Sequence, residues 1–169
     1  VGKVNSDKEL EELCDLAVRG LEELIDYQHY PVKAAELATK ARRSLGVGFI
    51  GLAHYLAKLG FKYDSQEAWD AVHGLSESFQ YYLLKASNEV AKEKGHCENF
   101  GRTKYADGIL PIDTYKKDVD EICSQPLAHD WESLRASILE HGLRHSTLSA
   151  QMPSESSSVV CNATNGIEP

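Results

Sequence analysis

The sequence predicts an α/β chain that is mainly helical and carries only part of a sheet. Three observations point there. Segments bounded by capping residues repeat apolar side chains three and four apart, as amphipathic helices do. One segment, Arg144 to Gln151, sets Thr147 and Ser149 against Leu148 and Ala150 in strand-like alternation. With roughly five helices and two or three strands expected, that strand has too few partners to close a sheet, and its neighbours are expected elsewhere.

Along the chain, Ser6 and Glu9 form an S-x-x-E capping box, which predicts a helix start. Leu10, Leu13, Cys14, Ala17, Leu21, Leu24 and Ile25 supply its apolar stripe. A short second helix is expected over Pro31 to Arg43, because proline suits a first helical turn. Ser44 to Gly48 reads as a glycine-punctuated connection into an apolar segment, Phe49 to Leu59, that ends at Gly60. Asp64, with Glu67 three residues on, is expected to cap the longest helix. Its stripe runs from Ala68 and Trp69 to Val90 and stops at Gly95. His96 to His129 reads as irregular, and a stretch of that length tends to be functional or wrapped around something. Asp130 then caps a short helix through Trp131, Leu134, Ile138 and Leu139, stopped at Gly142.

Composition narrows the function. The chain is 42% hydrophobic and 26% charged, as a globular domain is. A net charge of -8 disfavours direct nucleic-acid binding, because no surplus of cations exists to displace condensed counterions. The longest apolar runs, such as Phe49 to Ala53, fall far short of the roughly 20 residues that span a bilayer. No basic-then-apolar leader is present, so a cytoplasmic location is expected. Cys14, Cys97, Cys123 and Cys161 stand singly, which reads as reduced thiols rather than a disulfide framework. The start at Val1 without a methionine, and the stop at Pro169, read as those of a piece cut from something longer.

Three stretches could carry chemistry. Gly46-Val47-Gly48-Phe49-Ile50-Gly51 matches the G-x-G-x-x-G dinucleotide fingerprint, but Thr39 to Ser44 cannot be the buried strand the motif requires. The glycines read instead as places where the backbone passes close to a neighbour and a helix starts. His141 and His145 are separated by the helix-breaking Gly142, and with His96 beside Cys97 they do not make the convergent set a zinc site needs. Pro153-Ser154-Glu155-Ser156-Ser157-Ser158 follows the expected strand, with the proline where a helical turn would begin. A strand feeding a helix start presents unpaired N–H groups, and the hydroxyls of Ser156 and Ser157 add donors, so the stretch suits an anion. An ordinary flexible serine loop accounts for the same residues equally well. Asn162, Asn165 and Gly166 read as turn formers.

A resemblance separates these two readings. The run from Gly142 to Ser158, which ends Met152-Pro153-Ser154-Glu155-Ser156-Ser157-Ser158, is followed by Asn162-Ala163-Thr164-Asn165-Gly166-Ile167-Glu168-Pro169. Together they closely resemble the large, catalytic subunit of class I ribonucleotide reductase of the bacterial or bacteriophage type. Arg42 to Gly48, Tyr81 to Glu89 and Gly108 to Lys117 look like the same family, in collinear order across the chain. The resemblance implies that residues 1–169 are one partial domain, a helix-rich fragment of a ten-stranded α/β barrel that ends in the substrate-phosphate turn. It implies an oxidoreductase that reduces ribonucleoside diphosphates by thiyl-radical chemistry. Pro153, Ser154, Glu155, Ser156 and Ser157 would hold the substrate diphosphate.

Several family features are absent from the sequence. It lacks the Asn-x-Cys-x-Glu motif of the thiyl cysteine, and the redox cysteines, radical-path tyrosines and effector sites are expected elsewhere. No catalytic residue, metal ligand or cofactor is therefore assigned to this segment. The implied partners are the remainder of the large subunit, a small radical-generating subunit that holds metal, and nucleotide effectors. Cys161 stands where relatives usually carry serine. It is either a neutral replacement or the residue that follows an intein. The alternative function is a separately encoded assembly fragment of a split large subunit, inactive alone. A stand-alone phosphate-binding domain is a third reading, opposed by the incomplete sheet.

Overall fold

In the computed structural model, which describes residues 1–123 and 125–169, Ser6 starts the first helix, α1 (Asp7–Tyr27). Its hydroxyl accepts the Glu9 N–H at 3.1 Å. The Glu9 carboxylate returns to the N–H of Asn5 rather than to that of Ser6, at 2.8 Å. The buried line of α1 is Leu10, Cys14, Val18, Glu22 and Ile25, while Leu13 and Leu24 of the expected stripe are exposed. The helix is thus turned so that Val18 and a carboxylate face inward.

The partner of α1 is the long helix α4 (Gln66–Lys94). It begins at Ser65, whose hydroxyl accepts the Ala68 N–H at 3.3 Å; Asp64 is therefore not the cap. Phe79, Tyr82, Leu83, Ala86 and Val90 of α4 meet Leu10, Cys14 and Val18 of α1 in the main core. Lys85 to Glu11 and Arg19 to Glu93 tie the rims of this seam at 2.6 and 2.8 Å. These pairs are half-exposed and add little beyond register.

The other side of α4 receives α6 (Trp131–His141), which Asp130 caps and Gly142 stops as expected. Trp131, Leu134 and Ile138 are buried there. The polar residues that α4 buries are paired. Asn88 donates to the carbonyls of Gly142 and Ser137 at 2.8 and 3.2 Å. Glu77 accepts from the N–H groups of Ala128 and His129 and from the Trp131 indole. Paired this way, the groups cost little to bury.

Two shorter helices flank the chain's first crossing of the core. The second, α2 (Lys33–Arg42), starts two residues later than expected, with Pro31 outside it. Gly51, at φ 78°, starts α3 (Leu52–Leu59), and Leu52, Leu56 and Ala68 form a smaller cluster. The stretch expected to be irregular holds three 3-10 turns, Phe100–Arg102, Lys104–Asp107 and Lys117–Glu121, and one helical turn, α5 (Pro111–Thr114). The last helix is α7 (Glu155–Cys161).

No strand forms among the described residues, which corrects the strand expected over Arg144 to Gln151. What remains of a sheet is one parallel bridge, Val47 with Ser149. Val47 N–H donates to the Leu148 carbonyl at 2.8 Å, and Ala150 N–H donates to the Val47 carbonyl at 3.0 Å. Leu45 N–H extends the pairing to the Thr147 carbonyl at 3.0 Å. Parallel pairing is slightly weaker per residue than antiparallel, and two segments alone make a marginal sheet, so the contact stays a single bridge. Gly48 allows the approach: a Cβ there would lie 2.3 Å from the Ala150 carbonyl oxygen.

Candidate functional site

The serine turn lies directly beyond this parallel pair. Gln151 extends the pairing through its side chain, donating to the Phe49 carbonyl at 2.7 Å and accepting the Phe49 N–H at 3.2 Å. Pro153 is exposed and precedes the helix; Ser154 is the cap and Glu155 the first residue of α7, one to two residues later than the sequence suggested. The reason is local. Ser154 is held by its own N–H, which donates to the Asn165 side-chain oxygen at 2.7 Å. Its hydroxyl donates back to the Met152 carbonyl at 3.1 Å.

The first backbone bond of α7 runs from Ser158 N–H to the Ser154 carbonyl at 2.8 Å. The N–H groups of Glu155, Ser156 and Ser157 come before it and have no acceptor within the helix. All three residues are exposed, so three amides and two serine hydroxyls are open to a ligand. Pro153, Ser154, Glu155, Ser156 and Ser157 thus form one turn, in which the helix leaves the backbone N–H groups of Glu155, Ser156 and Ser157 free. An acceptor-rich anion complements such a cluster.

Where the two paired segments begin stands an ionic knot that sequence reasoning missed. Glu22 of α1 is 1% exposed and accepts from the guanidinium Nε of both Arg43 and Arg144 at 2.7 Å. Its second oxygen also faces Nε2 of the fully buried His145 at 3.1 Å. The other ring nitrogen of His145 faces the Ser87 hydroxyl of α4 at 2.9 Å. Burial would raise the Glu22 pKa, but the bonds from His145, Arg43 and Arg144 outweigh it and hold the carboxyl well below the usual range. Burial depresses His145 despite Glu22 beside it. The consistent pattern is a neutral imidazole donating from Nε2 to a carboxylate.

Arg43 ends α2 in the left-handed conformation at φ 49°, and two further bonds to Asp26 at 2.7 and 3.1 Å keep it there. Arg43 enters one segment of the parallel pair and His145 enters the other. One buried carboxylate therefore fixes both starting points. The signal was legible in principle, since Glu22 continues the four-residue spacing of Leu10, Cys14 and Val18.

The remaining motifs settle into structure. His145 is a core histidine and His141 is partly exposed beside Glu140. Among the described residues no group of three or more His, Cys, Asp or Glu is placed to hold a metal ion. Cys14, Cys97 and Cys123 are buried and Cys161 is exposed at the end of α7. No helix among the described residues is long and apolar enough to cross a membrane.

Fold and turn together define a mainly helical chain built on a parallel backbone pair that leads into a donor-rich turn. Residues 2–169 match the sequence model of the family described as ribonucleotide reductase, barrel domain. The chain is 60% identical over 169 residues to the ribonucleoside-diphosphate reductase subunit alpha of Haemophilus influenzae, covering 100% of this chain and 22% of that protein. It is 60% identical over 145 residues to ribonucleoside-diphosphate reductase 1 subunit alpha of Escherichia coli, covering 86% and 19%. With the subunit alpha of Enterobacteria phage T4 the identity is 48% over 160 residues, covering 95% and 21%. The chain belongs to the ribonucleotide reductase barrel-domain family. It spans 22% of the Haemophilus influenzae relative, about a fifth of its length.

Proposed function

We propose that this chain is part of the large subunit of a ribonucleoside-diphosphate reductase and supplies the turn that holds the substrate's diphosphate. The observation that carries the reading is the serine turn. In a chain of this family, Glu155, Ser156 and Ser157 offer free N–H groups at the end of a parallel backbone pair, with two exposed serine hydroxyls beside them. Pro153 and Ser154 shape the turn, and Glu155 contributes through its backbone.

The two paired segments are then neighbouring strands of the ten-stranded barrel. Their remaining partners come from the rest of the subunit, as does the cover for Val159 and Val160, which are 80% and 85% exposed. The reduction itself belongs to the rest of the enzyme, with the radical supplied by a metal-containing small subunit in the cytoplasm. The task of this turn is to bind and orient. Its donors oppose the phosphate charge and set the distance from the diphosphate to the ribose.

The test is the Ser156→Ala/Ser157→Ala pair in the complete enzyme. Losing two hydroxyl bonds to a charged group raises KM for the ribonucleoside diphosphate by about tenfold or more, with kcat within about twofold. An unchanged KM contradicts the assignment.

A further inference from the structure

We infer that Asn165 is a positioning residue for the diphosphate turn, acting through Ser154; the inference rests on the function proposed above. Fewer donors are left for a ligand than the turn could offer. A turn whose amides all point outward would offer four successive N–H groups, from Ser154 to Ser157. Here the Asn165 carboxamide takes the first of them at 2.7 Å. Ser154 is thereby withdrawn from the ligand and becomes the fixed corner from which the next three amides are aimed.

The carboxamide is itself held in one orientation. Its nitrogen donates to the Glu168 carboxylate at 3.2 Å, so its oxygen must face Ser154. Only a side chain with an acceptor on one side and a donor on the other serves both contacts. The backbone around it is equally constrained. Gly166, next in sequence, has φ 50°, and a Cβ there would lie 3.5 Å from the Met152 carbonyl, the same carbonyl that accepts the Ser154 hydroxyl. Thr164, just before, accepts the Gly51 N–H at 2.9 Å. Asn165 therefore hangs between the start of α3 and the serine turn and transmits the position of one to the other. A turn former at this place would need only its backbone; the side-chain bond to a residue eleven positions away serves the turn.

The experiment uses the complete large subunit with its radical-supplying partner and compares four forms. Asn165→Ala leaves the Ser154 N–H uncapped and is expected to raise KM for ribonucleoside diphosphate about fivefold, with kcat within about twofold and an unchanged melting temperature. Asn165→Asp together with Glu168→Gln reverses the pair while keeping its charge: the new carboxylate still accepts from Ser154 and the new amide donates to it. This double form is expected to return KM to within about twofold of the parent. Ser156→Ala/Ser157→Ala reports on the turn itself. If it raises KM while Asn165→Ala does not, the positioning role is overturned and the diphosphate turn stands. If neither raises KM, both readings fail. A fall in kcat and melting temperature for Asn165→Ala that the swapped pair does not rescue marks a merely structural residue and overturns the inference.

Discussion

Replacing Glu22 by alanine removes the one acceptor shared by three buried or half-buried donors. Arg43 and Arg144 each lose a bond of 2.7 Å, and His145 loses one of 3.1 Å. Breaking a buried ion pair from one side costs about 3 to 5 kcal/mol, because the partner stays behind without its counter-charge. Here the lower end applies. Arg43 keeps Asp26, and Arg144 keeps the Gly95 carbonyl at 3.2 Å. The loss falls on the segments that these residues enter, so it appears as local opening before global unfolding. A change of about 3 kcal/mol is roughly a hundredfold in an opening equilibrium. Amide hydrogen exchange of the complete subunit, read by mass spectrometry, measures this directly. Protection across residues 45–48 and 146–150 should fall about a hundredfold, while α6 changes little. Protection within about threefold of the parent would refute the view that this carboxylate pins the parallel pair.

Other outcomes follow from the same geometry. Gly48→Ala should weaken the pairing by about 1 to 3 kcal/mol, since its Cβ would meet the Ala150 carbonyl at 2.3 Å; the same exchange measurement checks it. Acidification should loosen the knot. His145 and Glu22 both have depressed values in the fold, so the unfolded chain binds more protons in acid and stability is lost as pH falls. The His145 contribution is complete above about pH 6.5 and fades below it, so protection at pH 5.5, corrected for intrinsic rates, should drop in the parent and at least as steeply in Glu22→Ala, because burial depresses His145 and Glu22 opposes that depression. Cys14, 2% exposed and with its thiol pushed up to about 12 by burial and by Glu11, should resist alkylation at pH 8 in peptide mapping of the native subunit.

The sequence made the helices legible because their signals are local. Ser6, Asp130, Gly60, Gly95 and Gly142 act through neighbours within a few residues, and each ends or starts a helix where expected. Which face of a helix turns inward is not a local property. Leu13 and Leu24 of α1 lie outside while Glu22 lies inside, because Arg43, Arg144 and His145 arrive from positions far along the chain. The strand failed for a related reason. The alternation of Thr147, Leu148, Ser149 and Ala150 is real, but a ladder depends on what lies beside it, and one parallel bridge is what these residues make with Val47. The serine turn was legible as a donor-rich stretch. The role of Asn165 was not, since its bond to Ser154 exists only once the chain has folded back.

The most direct measurement is equilibrium binding of a ribonucleoside diphosphate and of its parent nucleoside to the complete subunit, with and without Ser156→Ala/Ser157→Ala. If the turn holds the diphosphate, the double substitution weakens the diphosphate about tenfold or more and leaves the nucleoside unchanged. Equal binding of the diphosphate to both forms, or an equal loss for nucleoside and diphosphate, would contradict it.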